Sequence, residues 1–307
     1  NTLILSIAQG LSVTTTNINM INTGLVGAIL ASNPSFATIP LSLQFLTIAI
    51  TLIPVSLLMG KIGRRPMFLI GAMSAFIGCL IISLAIFYKT FSLFILGSMM
   101  LGFSQANQQF YRYAAADNVS SNLKSKAISL VLAGGLIAAV IGPEVSRYSF
   151  DIFPEYIYLA TYLFAALIQI FNFTILIFIK IKKPEKVIQK LRPLSEILMQ
   201  KTLIIAISAA AVGYSLMSFI MTATPLQIVN VCKLGDSASA TVIQWHVIAM
   251  FAPSFFTGSI ISFLGNRKVM LIGVLFFALS IFFSVIGQTV PHFWIALFLC
   301  GLGWNFL

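Results

Sequence analysis

Apolar residues along this chain gather into ten long runs separated by short polar stretches. The runs cover roughly residues 3–30, 38–59, 67–87, 91–113, 126–146, 156–180, 202–230, 239–264, 269–287 and 293–307. A helix crosses the hydrocarbon core of a bilayer with about 20 apolar residues, so the pattern predicts ten membrane-spanning helices. A closed barrel would show shorter segments that alternate apolar and polar positions. The first run reads as a span rather than a secretory leader, because it is too long, has no basic start and is followed by further spans.

One joint between runs recurs. Gly63-Arg64-Arg65-Pro66-Met67-Phe68-Leu69-Ile70-Gly71 aligns with Gly265-Asn266-Arg267-Lys268-Val269-Met270-Leu271-Ile272-Gly273, and Gly, Arg, Leu, Ile and Gly coincide at a constant offset of 202. A many-span unit duplicated in one orientation is a transporter architecture more than an enzyme architecture.

Composition agrees with a membrane protein. The chain is 59% hydrophobic and 8% charged, with a mean hydropathy of +1.02. Soluble domains carry about 25% charged residues. The net charge of +11 would suggest nucleic acid in a soluble protein, but its placement points elsewhere. Fifteen of the 18 basic residues fall in alternate joints: Lys61, Arg64 and Arg65; Arg112, Lys124 and Lys126; seven between Lys180 and Lys201; Arg267 and Lys268. Only Lys89, Arg147 and Lys233 fall in the others, which hold Glu144, Asp151, Glu155 and Asp236. The positive-inside rule therefore puts the amino terminus and the basic joints in the cytoplasm. No nucleic-acid partner is implied.

Residues 181–201 form the longest polar segment, rich in Lys. They read as a cytoplasmic linker, with a short amphipathic helix around 187–199, between a first unit (1–180) and a second (202–307). Cys79, Cys232 and Cys300 are scattered and form no metal or disulfide pattern. The last run stops after 15 residues. At 1.5 Å per residue that is roughly 22 Å, short of a bilayer core of about 30 Å, so a longer chain with two further spans is expected.

On these residues the chain resembles the major facilitator superfamily. Its signature between spans 2 and 3, Gly-x-Leu-Ala-Asp-Arg-x-Gly-Arg-Arg, is met here by Ser56-Leu57-Leu58-Met59-Gly60-Lys61-Ile62-Gly63-Arg64-Arg65. The second copy, Gly258 to Arg267, keeps both glycines, and both copies lack the Asp. The resemblance implies an all-α membrane bundle of two six-helix halves, with about ten of twelve spans present. It also implies a conformational latch at Lys61, Gly63, Arg64, Arg65, Gly265 and Arg267, with Asp117 as the acidic partner. A helix carboxyl end carries partial negative charge, which favours arginines held there. Two further family signatures are degraded: Ser98 stands where an arginine often precedes Gly102, and Gly142-Pro143 is all that survives of the antiporter motif.

Polar side chains are costly in a bilayer and usually face the bundle interior. Span 1 carries Ser12, Thr15, Asn19 and Asn22, and span 4 carries Ser98, Gly102, Gln105, Gln109 and Arg112, each set on one helical face. The resemblance implies that these spans line a central cavity, together with Tyr214 and Gln227 of span 7 and Trp304 and Asn305 of span 10. Cohesion between helices is the alternative for the neutral residues. Arg112 either binds an anion or reaches the basic surface. His246, the one histidine inside a span, and Glu144 are candidates for proton coupling. His246 reads equally as a structural histidine.

The function expected is alternating-access transport of a small polar or aromatic solute across the inner membrane. It would work with or without a proton, without a cofactor, and as a monomer in the lipid bilayer. Thr38 to Leu46 and Tyr111 to Asp117 resemble a bacterial subgroup of which some members carry riboflavin. A drug or metabolite exporter and a non-transporting sensor are the alternatives. The sequence holds no HExxH, no Gly-x-Ser-x-Gly and no phosphate-binding loop, so it is not read as an enzyme.

Overall fold

The computed structural model describes residues 1–120, 123–181, 196 and 198–307, and every regular element among them is helical. In order these are α1 (Thr2–Leu30), α2 (Ile39–Ile62), α3 (Arg64–Phe87), α4 (Phe91–Gln108), α5 (Tyr111–Asp117), α6 (Lys124–Ala133) and α7 (Gly135–Ser149). There follow α8 (Leu159–Ile177), α9 (Lys201–Leu226), α10 (Asp236–Phe251), α11 (Ser254–Leu264), α12 (Asn266–Ile286) and α13 (Val290–Phe306). A π turn, Gln227–Val231, continues α9. The linker expected at 181–201, with its helix around 187–199, lies largely outside the described residues.

Among the described residues, seven helical stretches are long and apolar enough to cross a bilayer: Pro34–Ile62, Arg64–Phe87, Lys126–Ser149, Leu159–Ile177, Lys201–Val231, Asp236–Thr257 and Asn266–Ile286. The count falls short of the ten expected from the sequence for two physical reasons. Amides and hydroxyls in α1 and α4 lower their hydropathy below that of their neighbours, and Val290–Phe306 is a shorter apolar helix.

Three expected spans are also interrupted. The run 91–113 breaks between α4 and α5 at Gln109 and Phe110, where Phe110 N–H bonds the Asn107 carbonyl three residues back. The run 239–264 breaks at Ala252-Pro253, because proline supplies no backbone N–H. The run 126–146 breaks at Gly134, where α1 crosses so closely that a Cβ would lie 2.0 Å from the Ser6 carbonyl oxygen.

The repeated joint is tighter than the sequence suggested. Helices were expected to resume at 67 and 269. Instead α2 and α3 meet at the single residue Gly63 (φ 96°, ψ 163°), and α11 and α12 meet at Gly265 (φ 79°, ψ 152°). Only glycine takes positive φ without a steric penalty, so one residue reverses the chain in both copies. Pro66 falls in the first turn of α3, where its missing N–H costs nothing.

Packing repeats with the joints. In the first half α3 packs on α4 and α8, α2 on α4, and α1 on α7 and α8. In the second, α12 and α10 pack on α13. The halves meet where α10 lies on α7 and α9 on α1, around Met20, Ile21, Leu41, Met217, Met221 and Ile243. Phe219, Phe263 and Val285 point outward. In water such surface would cost about 25 cal/mol per Å², whereas lipid accepts it.

Candidate solute-binding cavity

Two polar regions lie close together: in the first most side-chain hydrogen bonds are made within the protein, and in the second few are. The first is a ladder inside the amino-terminal half. Asn19 Nδ2 donates to Gln44 Oε1 (2.6 Å), and Gln44 Nε2 donates to Gln105 Oε1 (3.0 Å). The Tyr162 hydroxyl donates to Asn19 Oδ1 (2.8 Å), and Ser146 Oγ donates to Asn22 Oδ1 (2.9 Å). One to two turns along, Gln169 Nε2 donates to Thr15 Oγ1 (2.6 Å) and Asn172 Nδ2 to Ser12 Oγ (2.9 Å). All these residues are buried. The polar face expected on α1 meets this ladder, whereas of the face expected on span 4 only Gln105 does. However, Asn19, Asn22 and Gln105 spend their bonds on α2, α7 and α8 and on the backbone of α1.

The second region is a cavity of about 580 Å³ between the halves. Its walls are Phe45, Ile48, Ala49 and Leu52 of α2, Gln109, Phe110, Arg112 and Tyr113 around the break in span 4, and Tyr214 of α9. Gln109 and Tyr214 were expected to line such a cavity, and the structure brings them together. The aromatic and aliphatic wall of α2 was not expected, since Phe45 and Leu52 lie within an apolar run that carries no periodic signal.

A smaller cavity of about 320 Å³ lies further along the same cleft, lined by Thr38, Ser42, Phe45, Ser218 and Thr222 among others. Phe45 belongs to both cavities and meets Tyr214 edge-on, with ring centroids 5.8 Å apart. Aromatic pairs in this geometry add about 0.5–1.5 kcal/mol beyond their buried area. The pair joins α2 to α9 across the two halves.

The remaining candidates lie elsewhere. Gln227 is on the π turn, within reach of the Cys232 sulfur. Trp304 packs edge-on against Phe251 at 6.2 Å. Asn305 braces the break between α10 and α11, donating to the Met250 carbonyl (2.7 Å) and Ser254 Oγ (2.8 Å) and accepting from Thr257 (2.6 Å). His246 is fully buried, with Nδ1 2.7 Å from the Leu297 carbonyl oxygen and Nε2 unbonded.

Glu144 pairs with Arg147 at 2.9 Å one turn along α7. Arg147 donates across the halves to Thr241 Oγ1 (2.7 Å), and Gln244 donates to Glu144 (3.4 Å). Just before α8, Tyr158 takes φ 72° and donates to Asp236 at the start of α10. Burial first, and then the Asp236 carboxylate, push this tyrosine's ionisation upward, so it stays a donor. These contacts clasp the halves on the face opposite the basic joints.

On the basic face, Arg64 Nη2 pairs with Asp117 at 2.5 Å and Arg65 Nη2 donates to the Ile177 carbonyl at the end of α8 (2.7 Å). Lys61 is exposed in the last turn of α2, beyond which Gly63 turns the chain. In the second copy Gly265 makes the same turn, but exposed Arg267 has no hydrogen bond or ion pair among the described residues.

Comparison with known proteins agrees with this architecture. The family description Major Facilitator Superfamily matches residues 4–307. The riboflavin transporter RfnT of Brucella anthropi is 37% identical over 310 residues, covering 100% of this chain and 78% of that protein. The MFS-type transporter YdeG of Bacillus subtilis is 26% identical, covering 92% of this chain and 70% of YdeG. Among solved structures, a variant of the E. coli fucose:proton symporter FucP superposes with a TM-score of 0.63 at 14% identity, over 99% of this chain and 80% of that one.

Proposed function

We propose, from the premise that the chain belongs to the Major Facilitator Superfamily, that it moves a flavin or a similar planar solute across the membrane by alternating access. The coarser statement stands without the proposal: this is a multi-pass membrane transporter of a small solute, not an enzyme. The observation that carries the finer reading is the 580 Å³ cavity between the two repeats, walled by aromatic rings and by donors that no described protein group uses. Identity of 37% with a riboflavin transporter along the whole chain supports a flavin as the solute.

In this reading residues 1–180 and 202–307 are the rocking halves, joined by 181–201. The spans number ten: the seven apolar stretches together with α1, α4–α5 and α13. The amino terminus and the basic joints are cytoplasmic. The clasp at Tyr158–Asp236 and Arg147–Thr241 closes the outer face, while the cavity opens toward the basic one. Arg64–Asp117 holds the latch. A coupled proton is assigned to Glu144 rather than to His246, whose ring is bonded to Leu297.

Riboflavin uptake into proteoliposomes holding the purified protein tests this. Saturable uptake that unlabelled flavin competes away is expected. Flux no greater than in empty liposomes would discard the reading. With an imposed pH gradient, Glu144→Gln should lose accumulation but keep exchange. Undiminished accumulation would remove Glu144.

A further inference from the structure

We infer that Arg112 and Gln109 form the part of the cavity that reads the solute: they take the acceptor-rich edge of a flat heteroaromatic ring. The inference rests on the transport reading and goes beyond it by stating which end of the solute lies here and what recognises it.

Among the described residues of the cavity wall, Arg112 is the charged one. A guanidinium carries five N–H donors and no acceptor. No protein acceptor takes any of them among the described residues, and Nε is buried without a partner. The nearby carboxylate, Asp117, is taken by Arg64. The guanidinium lies over the ring of Tyr113, 5.0 Å from Cζ to centroid. A shielded guanidinium N–H without an acceptor is unfavourable, so the site gains when a ligand brings one to Nε. Reaching the surface does not relieve this, because Nε stays shielded from solvent.

Gln109 lies one helical turn before Arg112, and its side-chain amide also makes no hydrogen bond among the described residues. Together they offer a cluster of donors beside a single amide oxygen. Around that cluster stand Phe45, Phe110, Tyr113 and Tyr214. Such walls suit the faces of a flat ring, and the cluster suits an edge of carbonyl oxygens or ring nitrogens. A polyol chain, with as many donors as acceptors and no face to stack, matches neither feature.

The test is equilibrium binding to the purified protein, read by flavin fluorescence, with three probes: riboflavin, lumiflavin (the ring without its polyol chain) and free ribitol. Lumiflavin should displace riboflavin, and ribitol should not. Arg112→Gln should weaken both flavins by about tenfold or more, the scale of a hydrogen bond to a charged group. Arg112→Lys should restore only part of the loss, because an ammonium lacks the planar fork. If Arg112→Gln does not fold, judged by its unliganded melting temperature, Gln109→Leu replaces it with a severalfold loss expected for both flavins. Displacement by ribitol but not lumiflavin would overturn the inference, as would a loss confined to riboflavin or no loss. Failure of the unaltered protein to bind either flavin would instead overturn the flavin reading.

Discussion

The amide ladder within the first half and the cavity between the halves use the same kind of side chain to opposite ends. Gln105 and Gln109 lie one turn apart on the same span. Gln105 accepts from Gln44 in a chain that continues through Asn19 to Tyr162, whereas the Gln109 amide has no partner among the described residues. A buried polar group whose bonds are made stabilises the bundle, and one left unmade costs about 1–3 kcal/mol. At the cavity, Arg112 Nε is a buried donor that a solute could meet. The polarity of a residue does not separate structure from site in this protein; the contrast between Gln105 and Gln109 lies in the partners each one finds.

Two substitutions sharpen that contrast. The largest effect on stability is expected from Gln44→Leu, which breaks two rungs at once and leaves Asn19 and Gln105 unmatched. About 2–4 kcal/mol should be lost, seen as a lower melting temperature, while folded molecules keep their flavin affinity. A matching loss of affinity would merge the two regions. Phe45→Ala should do the reverse, weakening flavin binding about two- to tenfold through loss of the edge-on partner of Tyr214, with little change in melting. Unchanged affinity would take Phe45 out of the cavity's function.

The smallest effect on stability belongs to the joints. Asp117 is more than half exposed, so Arg64→Ala should cost under about 1 kcal/mol while changing the transport rate severalfold. Arg267→Ala, which breaks no pair among the described residues, should leave both untouched. Equal rates in the two variants would show that the latch is not particular to the first copy.

Much of this was legible in the residues. Apolar runs and the 202-residue offset carried the architecture; of the residues the resemblance grouped, Arg64 meets Asp117 while Arg65 turns instead to the Ile177 carbonyl. The direction in which a polar face looks was not legible. Periodicity put Asn19 and Asn22 on one side of α1, yet α1 has neighbours all round, and the side chosen is packed by α2, α7 and α8 rather than by the opposite half. Breaks with a chemical marker, Gly134 and Pro253, are readable afterwards. The break at Gln109–Phe110, which shapes the cavity, has no marker, and Phe45 is indistinguishable in sequence from its apolar neighbours.

A joint of one residue also has a mechanical meaning. Between Ile62 and Arg64 there is no slack, so α2 and α3 act as two arms of a bent lever with Gly63 as its elbow. Phe45, on one arm, touches the opposite half, and Arg64, at the elbow, grips α5. Phe45 stands 18 residues before Gly63 on α2, so at 1.5 Å per residue an arm of about five turns, roughly 27 Å, carries a shift of the ring at the cavity to Arg64.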